Sequence, residues 1–272
     1  MSSYRAGLGI GVLLSLAIQA GPVQGQENSF SWSDRMTQGQ VLEVKGIVGN
    51  IHAVFTSGAE AEVVAVKRGE DADFHQVAIE VAEVGDRIVI CAVYGTWNHG
   101  DGRCHPDHEN RGDDDEGRNR DVDMDVKVDY EVRLPAGIKF EGVVVSGDVQ
   151  AEGLRSDVSL TTVDGDVFVS TSGRAWANTV SGNMEIEMGE FGGDDLDFNT
   201  VSGDITLWLP SDFTADVDFS SLSGDFETDF EMSVTQEKSK WIGSSIEGTI
   251  GGGGRDLSFS TISGDVNLLR RR

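Results

Sequence analysis

The sequence predicts an all-β protein that is built as a β-solenoid, a repetitive stack of short strands with about 17–21 residues in each coil. Three observations support this fold class. A phrase of the form TVSGDV returns six times in the C-terminal half. Apolar and polar residues alternate beside each phrase, which is typical of half-buried strands. Helical periodicity is not found between the phrases, so the repeating unit consists of strands and turns.

The first observation is the recurrence of a glycine followed by an acid or an amide. The intervals between the glycines are 18, 17, 21, 21 and 40 residues. A nearly fixed period is typical of stacked units that bury their apolar sides against each other. The last interval is about twice the others, so we expect one degenerate coil near 242–254. The six pairs are Gly147-Asp148, Gly165-Asp166, Gly182-Asn183, Gly203-Asp204, Gly224-Asp225 and Gly264-Asp265.

The alternation places two strands in each coil. Apolar residues two and four positions after the glycine indicate one strand, and an apolar pair seven and five positions before it indicates another. The residue two positions before the glycine is apolar as well. We expect it to face inward after a corner that carries threonine or serine. The apolar residues two positions before the glycines are Val145, Val163, Val180, Val201, Leu222 and Ile262.

The N-terminus has the pattern of a secretory signal. Arg5 precedes an apolar run over 8–18 that is too short to span a bilayer. We expect cleavage after Gly25, with Ala20 as the alternative. The sequence therefore predicts an exported protein of the periplasm, cell surface or medium, with no transmembrane anchor in the mature chain.

The exported chain divides into three further segments. Residues 26–127 are predicted as an N-terminal β region that is interrupted by a polar, acidic insertion at 95–121. Within it, 40–54 has the pattern of an early coil with Gly49-Asn50 in its turn, and 61–67, 77–83 and 87–94 have the pattern of strands. Residues 128–268 are predicted as the solenoid repeats and 269–272 as a basic tail.

The charge balance restricts the partners. The chain has 21 basic and 47 acidic residues and a formal net charge of −26. Such a charge repels nucleic acid and anionic lipid, and it favours cations or basic partners. We therefore exclude a nucleic-acid-binding function.

The chain has two cysteines, Cys91 and Cys104. Because an exported protein meets an oxidising environment, we predict a disulfide between them. Free or metal-bound thiols are the alternatives.

One short element and the repeats together carry a resemblance to a known family. The element Leu134-Pro135-Ala136-Gly137, the six in-register repeats and the signal sequence resemble bacterial envelope proteins that are grouped as the "putative adhesin" β-strand-repeat family, a domain of unknown function. The resemblance covers 40–268. It implies a solenoid-like fold and an envelope setting, and it implies no established catalytic residues. The acidic insertion at 95–121 departs from the family pattern.

The row of acids has two interpretations. In the preferred one, the glycine takes a positive φ in a turn and the Asp or Asn side chain accepts backbone hydrogen bonds. In the alternative, carboxylates of neighbouring coils bind Ca²⁺, which needs six to eight oxygen ligands. The first interpretation also explains Asn183, since an amide oxygen accepts the same bonds.

The insertion contains a second candidate metal site. His99, Asp101, Cys104, His105 and His108 could supply a tetrahedral Zn²⁺ site. Their spacing matches no standard metal motif, so we prefer a solvated loop that is closed by the disulfide.

Three aromatic residues are candidates for a binding face. Phe168, Trp176 and Trp208 occupy outward positions in the alternation. Exposed rings on a solenoid can stack on sugars or on a protein partner. A neighbouring segment that covers the rings is the alternative.

The sequence predicts a non-enzymatic protein without a cofactor. It lacks the nucleophile-elbow, zinc-protease and phosphate-loop motifs. The preferred function is an adhesin-like or envelope recognition scaffold that binds an envelope protein or a glycan. The alternatives are a Ca²⁺-stabilised solenoid and a polysaccharide-active β-helix enzyme.

Overall fold

The computed structural model describes residues 28–94, 126–190, 195–239 and 243–271. In these residues the strands form two sheets, sheet A with ten strands and sheet B with eleven. One buried hydrophobic cluster fills the space between the sheets. The predicted all-β solenoid class is therefore confirmed. No helix in this part of the chain is long and apolar enough to cross a membrane.

The N-terminal elements contribute to both sheets. Parallel strands of neighbouring coils lie about 4.8 Å apart. The elements are β1 (Ser29–Asp34), β2 (Val41–Lys45), β3 (Ile51–Phe55), β4 (Ala61–Arg68), a 3-10 helix (Asp71–Gln76), β5 (Val77–Val84), β6 (Arg87–Tyr94) and β7 (Lys127–Leu134).

The repeated sequence forms the remaining strands. The central ones are β8 (Lys139–Val143), β9 (Val149–Leu154), β10 (Val158–Thr161), β11 (Val167–Thr171), β12 (Ala175–Asn178), β13 (Met184–Met188), β14 (Leu196–Asn199) and β15 (Ile205–Leu209). The C-terminal ones are β16 (Ala215–Ser223), β17 (Phe226–Thr228), β18 (Met232–Ser239), β19 (Ser244–Ile250), β20 (Asp256–Ser263) and β21 (Val266–Arg270). The last strand includes Leu269 and Arg270, the first two residues of the predicted tail.

Each coil consists of one strand in sheet B, a corner and one strand in sheet A. The eight coils of the described residues stack in the spatial order β6/β7, β2/β3, β8/β9, β10/β11, β12/β13, β14/β15, β20/β21 and β16/β17. Strands of adjacent coils pair in parallel, for example Val167 with Met184 and Met184 with Ile205. The coils on both sides of the predicted boundary at 127/128 thus share both sheets.

The predicted degenerate coil near 242–254 is wrong. In place of a coil, β18 and β19 form an antiparallel hairpin that extends sheet B beside β16. The chain then returns, and β20/β21 inserts between β14/β15 and β16/β17. The interval of 40 residues therefore contains a hairpin followed by an insertion into the stack. Ile242 itself lies outside the described residues.

The apolar corner residues were predicted to face inward, and this prediction is wrong. In five of the six corners a threonine or serine precedes the apolar residue and occupies the inside, and in two of them its hydroxyl donates a hydrogen bond to a backbone carbonyl of the adjacent coil. Thr162 Oγ1, for example, donates to Gly147 O at 3.0 Å. The next residue then points to solvent, because successive side chains alternate. The buried polar residues of these corners are Thr162, Thr179, Thr200, Ser221 and Thr261.

The insertion interrupts one coil at its corner. β6 pairs in parallel with β2, and β7 pairs in parallel with β3. Residues 95–125 therefore join two strands of a single coil, at the position where the other coils have a short turn. These residues lie outside the described ranges.

Candidate binding surfaces

The corners of the coils form one continuous edge, which we call the SGD edge. It comprises the four residues from the corner aliphatic residue to the Asp or Asn, at 145–148, 163–166, 180–183, 201–204, 222–225 and 262–265. Parallel bridges connect the residues that directly precede the glycines from coil to coil. The structure therefore places all six repeated turns in a single column.

Glycine is needed in this column because the coils approach closely. At Gly203 the backbone φ is +141°, a conformation that L side chains rarely adopt. A Cβ atom there would lie 2.0 Å from Gly182 O on the preceding coil, far inside any van der Waals contact. Five of the six repeated glycines combine a positive φ with this contact, and Gly224 has the contact alone.

The residues after the glycines form a hydrogen-bonded ladder. Asp166 Oδ1 accepts the Asn183 N–H at 2.7 Å, and Asn183 Oδ1 accepts the Asp204 N–H at 3.0 Å. Each side chain thus accepts a hydrogen bond from a backbone N–H of the next coil, which an amide oxygen does as well as a carboxylate. In spatial order the ladder is Asp129, Asn50, Asp148, Asp166, Asn183, Asp204, Asp265 and Asp225.

Two members of the ladder lie outside the six repeats. Asn50 follows Gly49 in the predicted early coil, and that dipeptide was a usable signal. Asp129 lies within strand β7, where the sequence has no glycine turn to mark it. Its carboxylate accepts the Asn50 N–H at 2.9 Å and also binds Arg68.

Of the two predicted metal sites, the row of acids lies within the described residues and the site in the insertion lies outside them. Among the described residues, no group of three or more His, Cys, Asp or Glu side chains is arranged to hold a metal ion. His99, Asp101, Cys104, His105 and His108 lie outside the described residues. Cys91 is buried in β6 at 6% exposure, but its predicted disulfide partner is Cys104, so that pairing stays a prediction.

The SGD edge also carries an aliphatic ridge, one exposed side chain per coil next to the ladder. Six of the nine exposed large hydrophobic residues in the described ranges belong to it. These side chains lie at equivalent corners of successive coils and so form one row of exposed apolar groups. In spatial order, with exposed fractions, the ridge is Val145 (48%), Val163 (45%), Val180 (45%), Val201 (43%), Ile262 (50%) and Leu222 (52%).

The three candidate aromatic residues do not share one face. Phe168 on β11 and Trp208 on β15 lie on the outer face of sheet A. Trp176 lies on β12 in sheet B, where the Arg174 guanidinium stacks 5.0 Å from its ring centre. The prediction of a single aromatic face is therefore wrong. The alternation gave the outward direction of each ring but did not show which sheet each strand joins.

Carboxylates on the outer face of sheet B differ in their environments. Burial disfavours the charged form of Asp157, but hydrogen bonds and charge from Arg174, with Lys139 nearby, hold its pKa below the ordinary value. Burial and the charges of Glu247 and Asp256 raise the pKa of Asp218. Like charges thus accumulate near the C-terminal end, whereas Asp157 in the central coils has cationic partners.

These features define a protein of the β-solenoid class whose coils are joined by a Gly-Asx column. Residues 139–269 match the family model "Toastrack DUF4097". The match confirms, over those residues, the resemblance that was inferred from the sequence. No curated protein matches the chain.

Several solved structures are similar over most of their length. One is described as a putative cell adhesion protein from Clostridium sporogenes, with 8% identity, coverage of 89% of this chain and 100% of that chain, and a TM-score of 0.41. Another is described as a putative adhesin from Bacteroides fragilis, with 11% identity, coverage of 90% and 98%, and a TM-score of 0.36. A third, from Parabacteroides distasonis, is described as a putative lipid binding protein, with 9% identity, coverage of 90% and 97%, and a TM-score of 0.23.

Proposed function

We propose that this protein is a non-enzymatic, adhesin-like recognition scaffold of the cell envelope, and that it binds its partner along the aliphatic ridge. The observation that supports this function is the ridge itself. Six consecutive coils expose an aliphatic side chain at the same corner. The fold would gain stability by burying these side chains, so their exposure is explained by a partner that covers them.

The charge beside the ridge specifies the chemistry of the partner. The ladder places five carboxylates, those of Asp148, Asp166, Asp204, Asp265 and Asp225, along the flank of the ridge. The chain as a whole has a net charge of −26. A complementary surface is therefore apolar along its centre and basic along one side.

The insertion of this chain does not have that chemistry. Residues 95–121 contain eight acidic and four basic side chains, so they carry the same sign of charge as the ladder. Repulsion between the two disfavours an internal cover and favours a separate, basic partner.

The ladder also supports a role without catalysis. Enzymes of the polysaccharide-active class use a pair of carboxylates that face one substrate from two sides. Here the repeated carboxylates form one column, and Asp148, Asp166, Asp204 and Asp265 each accept a hydrogen bond from a backbone N–H of the neighbouring coil. These hydrogen bonds connect neighbouring coils and so stabilise the stack.

The test compares two triple variants that change similarly exposed valines. V163D/V180D/V201D removes the apolar character of the ridge, and V64D/V81D/V234D changes three valines of 40%, 39% and 51% exposure that lie elsewhere. Binding of the exported chain to envelope fractions of its own bacterium is measured by surface plasmon resonance. A synthetic peptide of alternating lysine and leucine serves as a defined basic, apolar probe, and a glutamate and leucine peptide is its counterpart.

We expect the ridge variant to lose at least about tenfold in affinity, since three apolar contacts become buried charges. The matched control should bind like the wild type, and the glutamate peptide should bind more weakly than the lysine peptide. Failure of the wild-type protein to bind the envelope fraction would refute the recognition function. Equal losses in both triple variants would refute the role of the ridge.

A further inference from the structure

A groove on the outer face of sheet A combines aromatic rings with hydrogen-bonding groups. It has a volume of about 490 Å³ and crosses β11, β13, β15 and β21. Phe168 and Trp208 line it, and we call it the Trp208 groove. Its size falls within the range of about 300–1,000 Å³ that small-ligand sites occupy. It is separate from the ridge, whose side chains lie at the corners.

The two rings are spaced by the sheet. Phe168 lies on β11 and Trp208 on β15, with β13 between them. Neighbouring strands lie about 4.8 Å apart, and Phe168 is level with Thr206, two residues before Trp208, so the two rings start from backbones about 12 Å apart. Aromatic side chains present flat, rigid apolar surfaces. An extended ligand that consists of linked rings with apolar faces can therefore pack against both Phe168 and Trp208.

The strand between the rings supplies polar groups. Glu185 and Glu187 project outward from β13, and Glu187 pairs in register with Trp208. The Arg271 Nε lies 2.6 Å from Glu187 Oε1, which orients both side chains. Carboxylates accept hydrogen bonds and a guanidinium donates them. A ligand that fits has groups that both donate and accept, and hydroxyl groups do so.

The charge of the groove selects among such ligands. Three carboxylates, Glu185, Glu187 and Asp229, line it together with two arginines, of which Arg271 is already paired with Glu187. The net charge of the chain also repels anions. An apolar protein side chain would bury the carboxylates without giving them partners, which costs free energy. We propose that the Trp208 groove binds a neutral oligosaccharide through ring stacking on Phe168 and Trp208 and hydroxyl bonds to Glu185 and Glu187.

The experiment is isothermal titration calorimetry of the full exported chain with defined tetrasaccharides. The neutral probes are cellotetraose, chitotetraose, laminaritetraose, maltotetraose and mannotetraose, and tetragalacturonate is the anionic comparison. We expect at least one neutral probe to bind and tetragalacturonate to bind more weakly or not at all. Absence of binding by every neutral probe would overturn the proposal, and so would tighter binding of the acidic one.

Variants locate the binding. Trp208→Ala and Glu187→Ala should each weaken the affinity at least about fivefold, because each removes one class of contact. Trp208→Phe keeps a ring and should retain part of the affinity, which separates lost stacking from misfolding. Trp176→Ala, a ring on sheet B, should leave the affinity unchanged, and circular dichroism checks the fold of each variant. An equal loss in Trp176→Ala and Trp208→Ala would place the ligand elsewhere and overturn the assignment.

The ridge variant distinguishes this proposal from the proposed function. V163D/V180D/V201D changes corner side chains that do not line the groove. It should bind the tetrasaccharide like the wild type while it loses envelope binding. If it loses the tetrasaccharide as well, the groove is not an independent site and the proposal fails.

Discussion

The central coils and the ends of the stack differ in the order and direction of their strands. From β8 to β15 the coils succeed each other in chain order and pair only in parallel. At both ends the order is exchanged, since β6/β7 lies outside β2/β3 and β20/β21 lies inside β16/β17. Antiparallel strands then cover the ends: β1 and β4 on sheet A, β5 on sheet B, and the β18/β19 hairpin on sheet B.

The difference shows that the Gly-Asx column depends on spatial neighbours and not on chain order. The Asp204 carboxylate accepts a hydrogen bond from the Asp265 N–H, 61 residues away, just as the Asp148 carboxylate accepts one from the Asp166 N–H across 18 residues. Open strand edges invite pairing with other chains. Antiparallel strands therefore cover both ends of sheet B and one end of sheet A, and at the other end of sheet A the parallel strand β17 leaves an edge of only three residues.

The largest expected effect concerns the glycines of the two regions. Gly203→Val in the interior of the column forces both a backbone conformation and a contact that valine cannot adopt. Strain and overpacking together should cost about 4 kcal/mol of unfolding free energy or more. Gly224 lies on the outermost coil, where a valine would meet Gly264 O of the adjacent coil but would not need a positive φ. It should therefore cost about half as much, as measured by urea unfolding.

A control for this comparison is Gly252→Val, in a turn where no atom lies within 4 Å of the place a Cβ would occupy. It should change the unfolding free energy little. Equal losses at Gly203 and Gly224 would mean that the outermost coil is as constrained as the inner ones, which contradicts the distinction between centre and end.

The next effect concerns the core of the inserted coil. Phe259 is 1% exposed, stacks on Phe198 with ring centres 5.8 Å apart, and lies in register with Phe219 on its other side. Phe259→Ala should cost about 3–5 kcal/mol because neighbours on both sides lose contacts. Phe259→Leu should cost clearly less. A small cost for the alanine variant in thermal unfolding would show that the inserted coil is not packed between the two others.

The sequence predicted the local structure well. The strands proposed at 61–67, 77–83 and 87–94 correspond to β4, β5 and β6 within one residue at each end. The repeated turns gave the column of glycines, since a tight turn and a close approach both require glycine. The strands and turns depend on residues that are consecutive within one coil, and the regular repeat indicates that equivalent turns stack on each other.

Features that depend on which coils are neighbours could not be predicted. The alternation of β20 is the same wherever that strand is inserted, so its place between β14 and β16 has no local signal. The exposure of Val163 was misjudged because Thr162 fills the inside of the corner through a bond to Gly147 on the adjacent coil. Likewise, Trp176 and Trp208 both alternate outward but belong to different sheets.

Acids of the two regions should respond oppositely to pH. The pKa of Asp157 is lowered in the fold, so its carboxylate stabilises the protein above the unfolded value of 3.8 and loses this effect as the pH falls through the folded pKa. The pKa of Asp218 is raised, so its charge is unfavourable above the folded pKa and is relieved on acidification. At neutral pH, Asp157→Asn should lower the melting temperature and Asp218→Asn should raise it slightly.

Melting curves of both variants between neutral pH and acidic pH provide the check. The stabilisation by Asp218→Asn should vanish as the pH falls through the raised pKa. The deficit of Asp157→Asn should persist to more acidic pH, since its folded pKa lies lower. Changes of the same sign in both variants at neutral pH would contradict the contrast between the central and the C-terminal carboxylates.

The smallest effect concerns the charge of the ladder. In the centre, Asn183 separates Asp166 from Asp204, whereas Asp204, Asp265 and Asp225 follow each other at the C-terminal end without an amide. Carboxylates on adjacent coils lie about 5 Å apart and repel by about 1 kcal/mol per pair in water. Asn183→Asp keeps the hydrogen bonds but adds two such pairs, so it should destabilise the protein by up to about 2 kcal/mol at low salt.

Asp265→Asn removes two repulsive pairs and should stabilise the protein by a similar amount. Because salt screens these charges, both effects should shrink in about 1 M NaCl, where the Debye length is about 3 Å. Thermal unfolding at low and high salt measures this directly. A destabilisation by Asp265→Asn, independent of salt, would mean that the carboxylate contributes more than the amide as an acceptor. The amide in the centre of the ladder would then not be explained by charge.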